Sequence, residues 1–139
     1  MAERGVIYNR EKKRRLMSFA SLRYNKITPT DIDAFLDFGG RGYVVIEAKG
    51  IGVPVPTGQR IALERLLLKL SESPSLAIVI IAETPDGSME DDVDLGACEV
   101  REVWHVKNGR KLRSTELGAT VKEIVDRFKS WVDCEHIKF

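Results

Sequence analysis

The residues best placed to do chemistry lie in one stretch, TDIDAFLDFGGRGYVVIEAKG, Thr30 to Gly50. Two carboxylates, Asp33 and Glu47, stand on opposite sides of the turn Gly39-Gly40-Arg41-Gly42, and Lys49 follows the second of them. In a hairpin centred on Gly40, Asp33 faces Glu47 and Asp31 faces Lys49, while alternation puts Glu47 and Lys49 on one face of their strand. Directly opposed side chains have Cβ atoms roughly 4.5–5.5 Å apart, so two opposed carboxylates repel. The cost is up to about 1 kcal/mol when exposed and more when buried. A sequence that keeps such a pair beside an apolar strand is expected to use the two together. Two oxygen donors with room for water and a phosphate suit Mg²⁺. A lysine beside them could orient an attacking water or stabilise charge growing on a phosphate. All of this hangs on the turn centre, because a one-residue slip sends every side chain to the other face.

The elements around this stretch follow from pattern. About Ile7 to Leu22 reads as a helix, and Thr28-Pro29-Thr30 breaks it. Asp31 to Phe38 alternates, with Ile32, Ala34, Leu36 and Phe38 on one face and Asp31, Asp33, Phe35 and Asp37 on the other; this predicts a strand. Tyr43 to Lys49 is a second, more buried strand. A Gly/Pro-rich loop, Gly50 to Gly58, leads into a helix from about Gln59 to Leu70. Its inward stripe is Leu63, Leu66, Leu67 and Leu70, with Gln59 on the same stripe at the entrance. The apolar run Leu76 to Ala82, bounded by Pro74 and Pro85, suits a central strand covered on both faces. Ala97 to Val106 and Lys111 to Thr115 flank Asn108-Gly109, a hairpin signal. The final helix, about Thr120 to Val132, opens on a Thr120–Glu123 capping box and carries the stripe Val121, Ile124, Val125, Phe128, Trp131 and Val132. The expected fold is α/β, a mixed sheet with helices on its faces, in one domain over residues 1–139.

Composition bounds the rest. With 139 residues, 43% hydrophobic and 31% charged, the chain is sized and composed like one globular domain. Its net charge of +1 excludes a bulk polycationic coat. Charge is nonetheless segregated. Through Lys26 there are eight bases against two acids, and from Glu83 to Asp94 there are six acids and no base. No apolar run approaches the roughly 20 residues of a membrane span, and nothing reads as a signal peptide. Two cysteines, Cys98 and Cys134, make a poor disulfide framework; a cytoplasmic location with no membrane partner is expected.

Asp33, a turn, and Glu47-Ala48-Lys49 at the end of an apolar strand resemble the signature of the PD-(D/E)xK nuclease superfamily. Pro29 to Asp33 resembles the entry to that superfamily's first catalytic strand. Gly58-Gln59 resembles its helix glutamine, and Leu76 to Ala82 its next core strand. The likeness spans about Ile27 to Ala82. It implies a restriction-endonuclease-like core (α-β-β-α-β), here followed by a hairpin and a helix, and a Mg²⁺-dependent deoxyribonuclease, in the endonuclease class, with Mn²⁺ able to substitute. By this resemblance Asp33 and Glu47 hold the metal, the Ala48 carbonyl completes its shell, Lys49 assists the water and Gln59 stands beside the site. Asp31 competes with Asp33 for the metal role, and Glu11 could match an additional acid of the first helix. Leu63 departs from relatives that carry an aromatic after the helix glutamine.

The expected partner is DNA, with Arg10, Lys12, Lys13, Arg14 and Arg15 gripping phosphates and Arg41, Arg60 and Lys26 assisting. A homodimer is the expected way for so small a domain to hold both strands of a duplex. Plainer readings stand beside these. The charges could be a solvated ion cluster, the basic run the wet face of a helix, and Gln59 a cap. Trp104 reads as packing, and Cys134 with His136 is too sparse for zinc. The alternative functions are a non-catalytic nucleic-acid-binding module of the same fold and a protein-binding adaptor.

Overall fold

The computed structural model describes residues 18–85, 92–115 and 118–137, with the backbone alone at His136 and Ile137. Two compact units divide the chain, Met1–Thr30 and Asp31–Phe139. Of the expected first helix only the end is described, where Ala20–Leu22 forms a single 3-10 turn. Arg10, Glu11, Lys12, Lys13, Arg14 and Arg15 lie outside the described residues. In the same unit Tyr24 and Ile27 pair through two backbone hydrogen bonds of 2.9 Å.

The second unit is an α/β sandwich of one sheet between two helices. Its strands are β1 (Ala34–Asp37), β2 (Gly42–Gly50), β3 (Leu76–Thr84), β4 (Glu99–Lys107) and β5 (Arg110–Ser114), in sheet order β1-β2-β3-β4-β5. β2 and β3 run parallel and every other neighbour is antiparallel. The parallel pair needs a crossover, which is α1 (Thr57–Leu70); α2 (Val121–Ile137) covers the opposite face.

The apolar run of β3 is the centre of the sheet, buried from Ala77 to Ala82, because its alternating residues feed two different cores. On one face Val45, Ala77, Val79, Ile81 and Trp104 pack beneath Leu63 and Leu67 of α1. On the other, Val44, Ile46, Ile78, Ile80 and Val100 pack beneath Val121, Ile124, Phe128 and Val132 of α2. The capping box forms as the spacing predicts, since the Glu123 amide donates to Thr120 Oγ1 at 3.2 Å and Glu123 Oε1 accepts from the Thr120 amide at 3.4 Å. The Asn108-Gly109 turn closes β4 on β5 with φ of 54° and 74°, the paired positive values of a two-residue hairpin turn.

Several expectations change in detail. The first strand is four residues long rather than Asp31 to Phe38, because Asp33 uses its side chain where a longer strand would use backbone. α1 starts at Thr57 and α2 runs on to Ile137. Trp131, expected on the inward stripe, is 40% exposed and lines the rim of a groove of about 250 Å³ with Phe128 and His105. Among the described residues no helix is long and apolar enough to cross a membrane.

Candidate functional site

The hairpin register decides which side chains meet. β1 and β2 pair Ala34 with Ile46, Phe35 with Val45, Leu36 with Val44 and Asp37 with Tyr43. That register is centred on Gly40; its next step would oppose Asp33 to Glu47, but the pairing ends at Ala34 and Ile46. Gly39 and Gly40 turn the chain with φ of 66° and 75°, and Asp37 Oδ1 accepts the Gly40 amide at 2.7 Å. The stacked rings of Phe35 and Tyr43, 5.8 Å apart, brace the hairpin on the α1 side.

Odd-numbered residues of β2 point toward α1. Tyr43 and Val45 therefore join the Leu63–Leu67 core, and Glu47 comes next on that face. Among the described residues Glu47 is the one buried charged side chain, 4% exposed. Its Oε1 pairs with Lys49 Nζ at 3.1 Å, the contact that alternation sets up between residues two apart. Its Oε2 is buried with no hydrogen-bond partner. An unsatisfied buried polar atom costs about 1–3 kcal/mol, and a charged one more, so its survival calls for a compensating ligand or role.

Asp33 lies just before β1 and is exposed. Its Oδ2 accepts the Ala48 amide at 2.8 Å, on the strand edge that β1 has vacated. In a strand a residue's N–H and C=O leave on the same edge, so the Ala48 carbonyl faces Asp33's side. Gln59, in the first turn of α1, donates through Nε2 to the Asp31 carbonyl at 3.1 Å and so fixes the approach to Asp33. Asp31 thus contributes backbone here, and Asp33 is the carboxylate seated against the Glu47–Lys49 segment. The fold brings Asp33, Glu47, Ala48, Lys49 and Gln59 to one end of the sheet.

The donor set can be tested against Mg²⁺. Among the described residues no three His, Cys, Asp or Glu side chains form a metal-ligating cluster. What the site offers is two carboxylates and a main-chain carbonyl, all hard oxygen donors, and an orphaned buried oxygen at Glu47. Mg²⁺ is commonly held by one or two carboxylates with waters and substrate phosphate filling the rest, and the set fits that pattern.

Three features escape sequence reasoning. Arg60, expected to reach a phosphate backbone, turns to Glu102 at 3.1 Å and lies over the Trp104 ring at 5.0 Å. Trp104 Nε1 donates to the same Glu102 oxygen at 2.7 Å, which locks α1 to β4. The one available signal was Glu102 two positions before a tryptophan in an alternating strand. The third feature is a register shift between β3 and β4, where Ile81 pairs with Glu102 but Ala82 with Val100, so Arg101 is an inserted residue. Its guanidinium reaches Glu83, Gly50 and Val53. No local pattern marks a bulge whose cause is the pairing of two distant strands.

Comparison with protein-family models, with curated proteins and with solved structures returned no match for this chain.

Proposed function

We propose that this chain is a divalent-metal-dependent nuclease with a restriction-endonuclease-like core, hydrolysing phosphodiester bonds of DNA. The observation that carries the reading is the buried, unpartnered Oε2 of Glu47, whose other oxygen holds Lys49 and whose strand neighbour Ala48 holds Asp33. A stability-only account leaves that oxygen as pure cost; a cation completes it.

Asp33 and Glu47 would hold the metal, with the Ala48 carbonyl as a third donor. When bound, Mg²⁺ supplies Lewis acidity and a water more easily deprotonated than bulk water. The chain's own residues do the remaining work. Burial, at 4% exposure, keeps Glu47 in a low-dielectric setting where its charge acts strongly. Lys49 supplies a positive charge beside the reacting phosphate, worth most where water is excluded. Gln59 keeps the Asp31–Asp33 approach in place, a positioning role. The basic run Arg10 to Arg15 is proposed to grip the DNA backbone without reading its sequence. A homodimer is the proposed assembly on a duplex.

The test is incubation of the purified protein with linear, closed-circular, single-stranded and branched DNA in Mg²⁺, Mn²⁺ or EDTA. Cleavage in both metals and none in EDTA is expected, with closed circles cut as an endonuclease requires. DNA binding without product in any metal would replace this reading with a non-catalytic binding module. Absence of both would favour a protein-binding adaptor.

A further inference from the structure

We propose that Arg101 is a positioning residue that keeps the Lys49 ammonium on Glu47 by occupying the competing carboxylate of Glu83. The kinetic part of this inference rests on the nuclease reading; the structural part stands without it.

Lys49 and Glu83 are Cα partners in the parallel β2–β3 register, two residues beyond the Glu47–Ile81 pair on the same sheet face. Neighbouring strands lie about 4.8 Å apart, within easy reach of a lysine and a glutamate side chain. Lys49 therefore has two carboxylates to choose between, Glu47 on its own strand and Glu83 on the next. It takes Glu47, at 3.1 Å. Glu83 is held instead by Arg101, whose Nε and Nη2 lie 3.0 and 2.9 Å from Oε1.

Arg101 reaches Glu83 because it is the inserted residue of the bulge, which sends two consecutive side chains, Arg101 and Glu102, to the α1 side of β4. The same guanidinium donates to the Val53 carbonyl at 2.7 Å and the Gly50 carbonyl at 3.2 Å. Gly50 directly follows Lys49. One planar five-donor group thus neutralises the rival carboxylate and braces the turn after the lysine, which a lysine at 101 could not reproduce.

The test compares wild type with Arg101→Ala, Arg101→Gln, Glu83→Gln and the double variant Arg101→Ala/Glu83→Gln. Arg101→Gln keeps a donor for the Gly50 and Val53 carbonyls without the charge, and serves where the alanine variant does not fold. The first readout is the set of nuclear Overhauser contacts of the Lys49 Hε protons in EDTA. They should report Glu47 in wild type, move to Glu83 in Arg101→Ala or Arg101→Gln, and return to Glu47 in the double variant. Contacts that stay on Glu47 after loss of Arg101 would overturn the proposal, whatever the protein does to DNA.

The second readout is single-turnover cleavage in Mg²⁺. Displacing a positioned charge is expected to lower the rate about tenfold, with DNA affinity within about twofold. Adding Glu83→Gln should restore the rate to within about threefold of wild type. Loss without restoration would mean that Arg101 only braces the turn, and would also overturn the proposal. Failure of wild type to cleave would sink the nuclease reading and leave the Lys49 contacts to decide this one.

Discussion

Asp33 and Ala48 are joined by a hydrogen bond of 2.8 Å from the Ala48 amide to the Asp33 carboxylate. A side chain takes the place of backbone pairing at the point where β1 stops and the Glu47–Lys49 segment continues. One bond therefore ends a strand and seats a carboxylate at the site.

That bond and the charge can be separated by substitution. Asp33→Asn keeps an acceptor for the Ala48 amide and should change stability by less than about 0.5 kcal/mol, whereas Asp33→Ala should lose about 1 kcal/mol. Both should lose Mg²⁺-dependent cleavage. Urea denaturation measures the first pair of values and a cleavage assay the second.

Glu47 carries its orphaned oxygen at a cost that, on the proposed reading, a metal would offset. Wild type should therefore melt higher in Mg²⁺ than in EDTA. For a dissociation constant of about 1 mM, 10 mM Mg²⁺ adds about 1.4 kcal/mol, a few degrees for a domain of this size. Glu47→Gln should show no such rise. Differential scanning calorimetry with and without the ion checks both statements.

Gly42 opens β2 against α2, and a Cβ there would overlap Val132 and come within 3.1 Å of Phe128. Val132 is fully buried and cannot retreat. Gly42→Ala should destabilise by about 1–3 kcal/mol, the usual cost of overpacking. Chemical denaturation measures it, and Val132→Ala in the same chain should recover part of the loss.

Burial pushes the Cys98 thiol above its ordinary value of 9.0, and the nearby Asp94 carboxylate pushes it further. Above about pH 9 the unfolded thiol ionises while the folded one keeps its proton, so this group's contribution to stability is full below that pH. It falls as pH rises through the higher folded value. Cys98→Ala should flatten the decline of unfolding free energy above about pH 9 relative to wild type, as read from urea titrations.

Much of this architecture is legible in the chain, for local reasons. An apolar run between two prolines has to be covered on both faces, and β3 is. A turn centred on Gly40 fixes a register, and that register brings the approach carrying Asp33 alongside Glu47-Ala48-Lys49. Thr120 and Glu123 announce the start of α2. The unreadable parts are contacts between distant segments. Arg60 finds Glu102 across 42 positions. Arg101 finds Gly50 across 51. The early end of β1 is hidden because alternation cannot say whether Asp33 offers its backbone or its side chain. Trp131 fits the apolar stripe of α2 by spacing, yet it is 40% exposed and lines the groove beside Phe128 and His105.

The most direct measurement is a side-by-side cleavage assay of wild type and Glu47→Gln, purified identically and matched in folding by circular dichroism. In Mg²⁺ the wild type should cut DNA and the variant should be slower by at least about a hundredfold, because a carboxylate ligand of the metal has been lost. Equal rates in the two preparations would contradict the account, since the activity would then not arise at Glu47.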